Sequence, residues 1–293
     1  MQVLFSPFSP TCRKTVVALG CFDGTHPGHA ALFDQAVALA ARLDAIPAVY
    51  TFSDFLPQKG APLSTSEERL AAMEAAGIQA VFLSRFEEVR ALSPETFITE
   101  ILKEKLCAVA TVCGFNYRFG AEARGNGDIL LSYFPDSIQV PAVMADGVPI
   151  SSTRIRTALS LGRVEEAAML LGRPYSVTGT VTHGKAVGHS FGYPTANVAT
   201  PTLLPAHGVY ETRVTVDGRD YVGLSDVGIR PTLEKNGEER VESFLLDFEG
   251  DLYGKTLTVS FLQRLRDEIR FDGIEALAAQ IEQDVKQIKN KQR

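Results

Sequence analysis

The feature that most constrains this chain is a change of texture at Gly172-Arg173-Pro174. Before it, short apolar runs alternate with helical periodicity, the pattern of strand and helix units stacked on a parallel sheet. After it, β-branched runs are punctuated by turn pairs, the pattern of hairpins closing into a small antiparallel barrel. A length of 293 residues accommodates two domains, each with its own core. The expected architecture is therefore an α/β, Rossmann-like domain over 1–172 and a small antiparallel β-barrel with a terminal helix over 173–293.

In the first half, Thr15 to Gly20 reads as a strand and Pro27 to Leu43 as a helix with Leu32, Ala36, Leu39 and Ala40 on one face. Ala45 to Phe52 is a second strand. Ser64 with Glu67 forms a capping-box signal for a helix over Glu68 to Ala76, and a strand follows near Ala80 to Leu83. Ser93-Pro94 opens another helix, Val109 to Cys113 is again strand-like, and Ser151-Ser152-Thr153 opens a further helix. In the second half, Asp217-Gly218 between Val214 and Val222 predicts a type I′ hairpin. The last helix has Asp272 and Glu275 as its capping signal. Its apolar stripe of Ile274, Leu277, Ile281, Val285 and Ile288 is expected to lie on the barrel.

Composition narrows the function. Twenty-nine basic against 35 acidic residues give a net charge of −6, which supplies no overall field for gripping a polyanion. Nucleic acid is an unexpected partner, whereas a local phosphate site is not excluded. The four cysteines, Cys12, Cys21, Cys107 and Cys113, lack zinc-ligand spacing. The N-terminal residues lack a basic region before an apolar run and no apolar stretch reaches the length of a membrane span, so neither a secretory route nor a membrane is expected and the cytoplasm is the expected compartment.

Two strings carry the chemistry of the first half. Gly20-Cys21-Phe22-Asp23-Gly24-Thr25-His26-Pro27-Gly28-His29 runs from a strand straight into a helix. Its glycines let the backbone approach a ligand, and the helix start favours an anion. His26 and His29, three apart, can share one side and stabilise charge developing on a phosphate in transfer. The second string is Ile150-Ser151-Ser152-Thr153-Arg154-Ile155-Arg156, in which hydroxyls at a helix start and an arginine one turn later form a phosphate clamp.

In the second half, Gly179 to Ala186 nearly matches a Walker A loop. Ala186 offers no magnesium hydroxyl, however, and the loop does not lead into a helix. A glycine-rich loop over a nucleotide, with Gly184, Lys185 and Gly188, is the remaining reading, and a tight turn is its alternative. Pro194-Thr195-Ala196-Asn197 follows, with a hydroxyl and an amide oxygen two positions apart that suit magnesium. Glu242, in an alternating strand-like run, can act as a general base if it faces a cavity.

Taken together, the chain resembles the bacterial bifunctional riboflavin kinase and FMN adenylyltransferase family along almost its whole length. The first string resembles the H-x-G-H signature of nucleotidylyltransferases. Further strings are Gly114-Phe-Asn-Tyr-Arg-Phe-Gly120, Gly188 to Asn197, Gly208-Val209-Tyr210, Gly228-Ile229-Arg230-Pro231-Thr232 and Leu265-Arg266-Asp267-Glu268. The resemblance implies that the C-terminal barrel phosphorylates riboflavin to FMN with ATP, releasing ADP. It also implies that the N-terminal domain adenylylates FMN to FAD with a second ATP and releases pyrophosphate. Magnesium is the implied metal.

By the same resemblance Glu242 is the kinase base, Thr195 and Asn197 hold magnesium and nucleotide, and Arg266 and Glu268 lie beside the flavin. In the other half, Gly20, Phe22, Asp23, Gly24, Gly28, Ser152, Thr153 and Arg156 surround ATP with His26 and His29, while Asn116 and Arg118 face the flavin. Four departures stand out. Phe52-Ser53-Asp54-Phe55-Leu56-Pro57 replaces the usual F-x-P-H-P, His189 the usual arginine, Asp226 the usual asparagine and Phe244 a frequent histidine. Two alternatives remain open at this point, a kinase whose N-terminal half no longer adenylylates FMN and a flavin-binding regulator without turnover.

Overall fold

The computed structural model describes residues 1–9, 13–54, 60–182, 195–229 and 239–291. By its contacts the chain forms two compact units, Met1–Ser152 and Thr153–Arg293.

The first unit is built on a six-stranded sheet of β1 (Gln2–Phe5), β2 (Thr15–Leu19), β3 (Ile46–Phe52), β4 (Ala80–Ser84), β5 (Ala108–Gly114) and β6 (Ile138–Val140). Its order is β1-β4-β3-β2-β5-β6 and every pairing is parallel. A two-residue pair, β7 (Met144–Ala145) and β8 (Val148–Pro149), completes the strands of this unit. The helices are α1 (Pro27–Arg42), α2 (Ser66–Ala75), the short α3 (Phe86–Val89), α4 (Pro94–Thr96), which continues as a π-helical stretch over Phe97–Lys105, and α5 (Gly127–Tyr133).

Strand β2 is buried throughout because its alternate residues feed two cores. Val17 and Leu19 join Tyr50, Phe82, Ile98 and Leu102 on one face. Val16 and Ala18 join Phe33, Ala36, Val49 and Val81 on the other. The connections run outward on either side of β2, so the chain reverses direction between β2 and β5. In an open parallel sheet, ligands bind beyond the carboxyl ends of the strands at such a reversal.

Two expectations shift here. The strand β1, unread in the sequence, forms the sheet edge against β4. The capping box of α2 uses Thr65 and Glu68, one residue beyond Ser64 and Glu67. The reason is that Ser64 is engaged elsewhere, its hydroxyl accepting from the Gly24 N–H at 3.1 Å.

The second unit opens with α6 (Ser152–Ser160), whose first residue still belongs to the first unit, and α7 (Val164–Leu171). The barrel strands follow: β9 (Tyr175–Thr182), β10 (Thr195–Ala199), β11 (Gly208–Val216), β12 (Arg219–Ile229), β13 (Glu239–Leu245) and β14 (Thr256–Arg266). They close in the order β10-β13-β12-β11-β14-β9, all antiparallel. Asp217 and Gly218 take φ of 49° and 75°, as a type I′ turn requires. A hydroxyl chain, Thr212 to Ser225 to Ser243 at 2.7 Å each, is satisfied within the buried interior. Gly179 lies inside β9, where a β-carbon would fall 2.0 Å from the Ala199 carbonyl oxygen, so it belongs to the barrel wall rather than to a phosphate loop. The terminal helix α8 (Ile274–Lys291) lays Ile281, Val285 and Ile288 against Val209, Leu224 and Phe244, as its stripe predicts.

Candidate active sites

Strand β2 delivers Gly20 to the sheet's carboxyl edge, and the next residues form a tight turn into α1. Phe22, Gly24 and Thr25 have φ of 54°, 80° and 41°. Two of these are non-glycine residues in left-handed backbone, which costs on the order of 1–3 kcal/mol each and persists only where the surroundings over-determine it. The surroundings do so. Thr51 Oγ1 and Arg69 Nη1 donate to the Cys21 carbonyl at 3.3 and 3.1 Å, and Leu63 N donates to Asp23 Oδ1 at 2.9 Å. Ser152 Oγ, at the start of α6, donates to the Asp23 carbonyl at 2.9 Å. That bond ties the second phosphate string to the first across 129 residues.

The Phe22 ring is buried beneath Gly20, where a β-carbon would fall 3.0 Å from Cζ. His26 is the N-cap of α1 and is buried, and its ring stacks on His29 with centroids 3.7 Å apart. A β-carbon on Gly28 would meet His26 Cε1 at 3.0 Å, so this glycine makes room for the stacked pair. The arrangement is a glycine-lined helix start with two imidazoles on one side, suited to a phosphate chain. Asp23 is bound into the turn by its bond from Leu63. Thr153 and Arg156 follow Ser152 on α6, the first exposed and the second half-buried.

Beyond β5, Asn116 and Arg118 are exposed on a loop that Phe119 and Gly125 close by mutual backbone bonds of 3.2 and 2.8 Å. Tyr117 stacks on Phe119, Phe119 meets Phe97 and Phe97 meets Tyr50, an aromatic bed under that loop. Burial pushes the Tyr50 phenol up to about 12 and the Tyr117 phenol well above its ordinary range, so both remain neutral donors.

In the barrel, register places one row of side chains on a common face. Asn197 on β10 stands opposite Glu242 on β13, which stands opposite Asp226 on β12. Asp226 and Arg266 both stand opposite Val209 on β11. Thr195, two residues before Asn197 and therefore on its face, donates its hydroxyl to Glu242 Oε1. The base read in the sequence and the two oxygen ligands are thus brought together. Glu268 reaches the same face above Gly228, and His207 approaches it with Nδ1 3.9 Å from Oε2.

Two findings go beyond the sequence reading. The Arg266 guanidinium is taken by Asp284 of α8, with Nη2 donating to Oδ2 at 2.8 Å and Nε at 3.1 Å, and Asp284 is almost fully buried. Asp226 is a third carboxyl beside Glu242 and Glu268, and burial, then those two charges, push it up to about 6. Among the described residues its Oδ1 is buried without a hydrogen-bond partner. Gly184, Lys185, Gly188, His189, Arg230 and residues 55–57 lie outside the described residues.

Among the described residues no group of three or more His, Cys, Asp or Glu side chains is arranged to hold a metal. The hard oxygens of Thr195 and Asn197, beside the carboxylate of Glu242, have the donor chemistry that magnesium accepts.

Comparison with known proteins gives one family match in each half. The FAD synthetase family model matches residues 9–154 and the riboflavin kinase model residues 171–292. A bifunctional riboflavin kinase/FMN adenylyltransferase of Listeria monocytogenes is 34% identical over 92% of this chain and 90% of its own length. The chain belongs to the bifunctional riboflavin kinase/FMN adenylyltransferase family. A second member, from Pseudomonas fluorescens, is 35% identical over 94% of this chain and 92% of its own. The family fold also appears in the crystal structure of a protein described as a macrolide-efflux protein from Streptococcus pneumoniae, with a TM-score of 0.87, 33% identity and 98% of each chain covered.

Proposed function

We propose that the chain makes FAD from riboflavin in two ATP-dependent steps, each at its own site, with the functional halves meeting near Arg173. The observation that carries this reading is the unequal equipment of the two sites. The barrel row holds a carboxylate, Glu242, bonded to the Thr195 hydroxyl, whereas the β2–α1 turn holds two stacked imidazoles and no free carboxylate.

In the barrel, the terminal ribityl hydroxyl of riboflavin attacks the γ-phosphorus of ATP. Glu242 accepts the hydroxyl proton, the bond to the β,γ-bridging oxygen breaks, and ADP leaves. Thr195 orients the Glu242 carboxylate. Magnesium, held by Thr195 and Asn197, neutralises phosphate charge when bound.

At the turn, an FMN phosphate oxygen attacks the α-phosphorus of a second ATP and pyrophosphate leaves. The nucleophile is already an anion, so this site needs positioning and charge stabilisation rather than a base. His26 and His29 are placed for the charge developing on the phosphates, and the start of α6, with Ser152, Thr153 and Arg156, clamps them. Asn116 and Arg118 sit on the flavin side. The enzyme acts in the cytoplasm; no described helix is long and apolar enough to cross a membrane.

The test is a product time course. Riboflavin, ATP and magnesium should give FMN first and FAD later. FMN that accumulates without FAD, even when FMN is supplied directly, would leave the kinase alone.

A further inference from the structure

Arg69 stands outside every string that points to function, yet its side chain is buried, 5% exposed, in the first turns of α2. A buried guanidinium is costly unless its donors are met. Here they meet backbone. Nη1 donates to the Cys21 carbonyl at 3.1 Å, and Nη2 donates to the Phe52 carbonyl at 3.2 Å and to Ser66 Oγ at 3.5 Å.

The two carbonyls belong to different ligand-side segments. Cys21 opens the left-handed turn that carries Phe22, Gly24 and Thr25, and Phe52 ends β3 and begins the segment where this chain departs from F-x-P-H-P. Strands β2 and β3 are paired neighbours up to Leu19 and Tyr50. Beyond that point a long bond from the Gly20 N–H to the Tyr50 carbonyl, 3.4 Å, and the Thr51 hydroxyl bond to Cys21 remain, and Arg69 adds two shorter bonds that span the strand ends. In a trans peptide the carbonyl and the following N–H point in opposite directions. Drawing the Cys21 carbonyl toward the guanidinium therefore turns the Phe22 N–H away from it.

We propose that Arg69 is a positioning residue for adenylyl transfer, one buried guanidinium that sets the separation of the phosphate turn from the segment after β3 and holds the turn formed before ATP arrives. The inference rests on the reading of the N-terminal site given above. The geometry calls for both donors. A lysine keeps the charge but lacks the planar fork that spans two carbonyls. A methionine fills the space and leaves both carbonyls without it.

Arg69→Met and Arg69→Lys are to be compared with the wild type in FMN-to-FAD conversion at saturating FMN. Riboflavin phosphorylation by the same preparation serves as the internal control. Arg69→Met should raise KM for ATP by about tenfold or more, Arg69→Lys by less, with phosphorylation of riboflavin within about twofold of wild type. A merely structural role would reduce the number of working molecules, lowering kcat at an unchanged KM for ATP. That result, or wild-type KM in both variants, overturns the proposal. A wild type that converts no FMN refutes the reading of the site instead. Calorimetric ATP binding then decides Arg69 separately, since equal affinity in the wild type and both variants also overturns it.

Discussion

A β-carbon on Gly228 would lie 2.2 Å from Glu268 Oε1, so the Glu268 carboxylate rests directly on the β12 backbone. Gly228→Ala must displace Glu268. We expect a loss of about tenfold or more in riboflavin phosphorylation with FMN-to-FAD conversion unchanged, measured on the same preparation. Two residues before it, Asp226 shows the cost of a buried carboxyl beside two others. Its carboxyl titrates at about 6 instead of 3.8, chiefly through burial and then through Glu268 and Glu242. The folded state therefore holds this proton more tightly than the unfolded chain. Ionised Asp226 destabilises the barrel above about pH 6, and the cost fades as pH falls toward the ordinary carboxyl range. Asp226→Asn should raise the barrel's unfolding temperature at about pH 8 and leave it unchanged near pH 4. A difference that is the same at both pH values would contradict this.

At the scale of elements, α8 is held by more than its apolar stripe. Asp284, almost fully buried, receives the Arg266 guanidinium and the Gln280 amide, the latter at 2.9 Å. Removing one member of a buried pair leaves the other charge uncompensated and costs about 3–5 kcal/mol. Asp284→Ala should therefore lower barrel stability by about that amount in urea unfolding. It should also impair riboflavin phosphorylation, because Arg266 leads into Glu268. The helices and the central strands were legible because one face or both faces of each are apolar at the right period. The edge strand β1 was not, since its four residues carry no periodic signal long enough to read. The shift of the α2 cap by one residue was invisible for another reason. Ser64 and Thr65 are both good caps locally, each with a glutamate three residues on, and only the distant Gly24 N–H takes Ser64 out of the competition.

At the scale of the molecule, the proposed reading gives each of the two steps its own set of residues and its own chemistry. Glu242→Gln should abolish riboflavin phosphorylation and spare FMN-to-FAD conversion, and His29→Ala should do the reverse. Equal impairment of both steps by either change would refute the division of labour. The net charge of −6 takes on meaning at this scale too. On the proposed reading phosphate is handled by local groups, so the overall acidity does not argue against nucleotide substrates.

The sequence by itself determined the two architectures, the family, and the ordered strings from Gly20 to His29 and around Glu242. Each of these is a local pattern of period, turn chemistry or spacing. Only the tertiary structure decided which side chains are tied to the backbone and which pair with one another. Arg69, Ser64 and the Asp23 carboxylate turned out to hold the phosphate turn, Arg266 to pair with Asp284, and Asp226 to face Glu242. These roles are set by partners 16 to 48 positions away along the chain. Hydrogen bonds and charge pairs form between neighbours in space, and a local pattern carries no record of such neighbours.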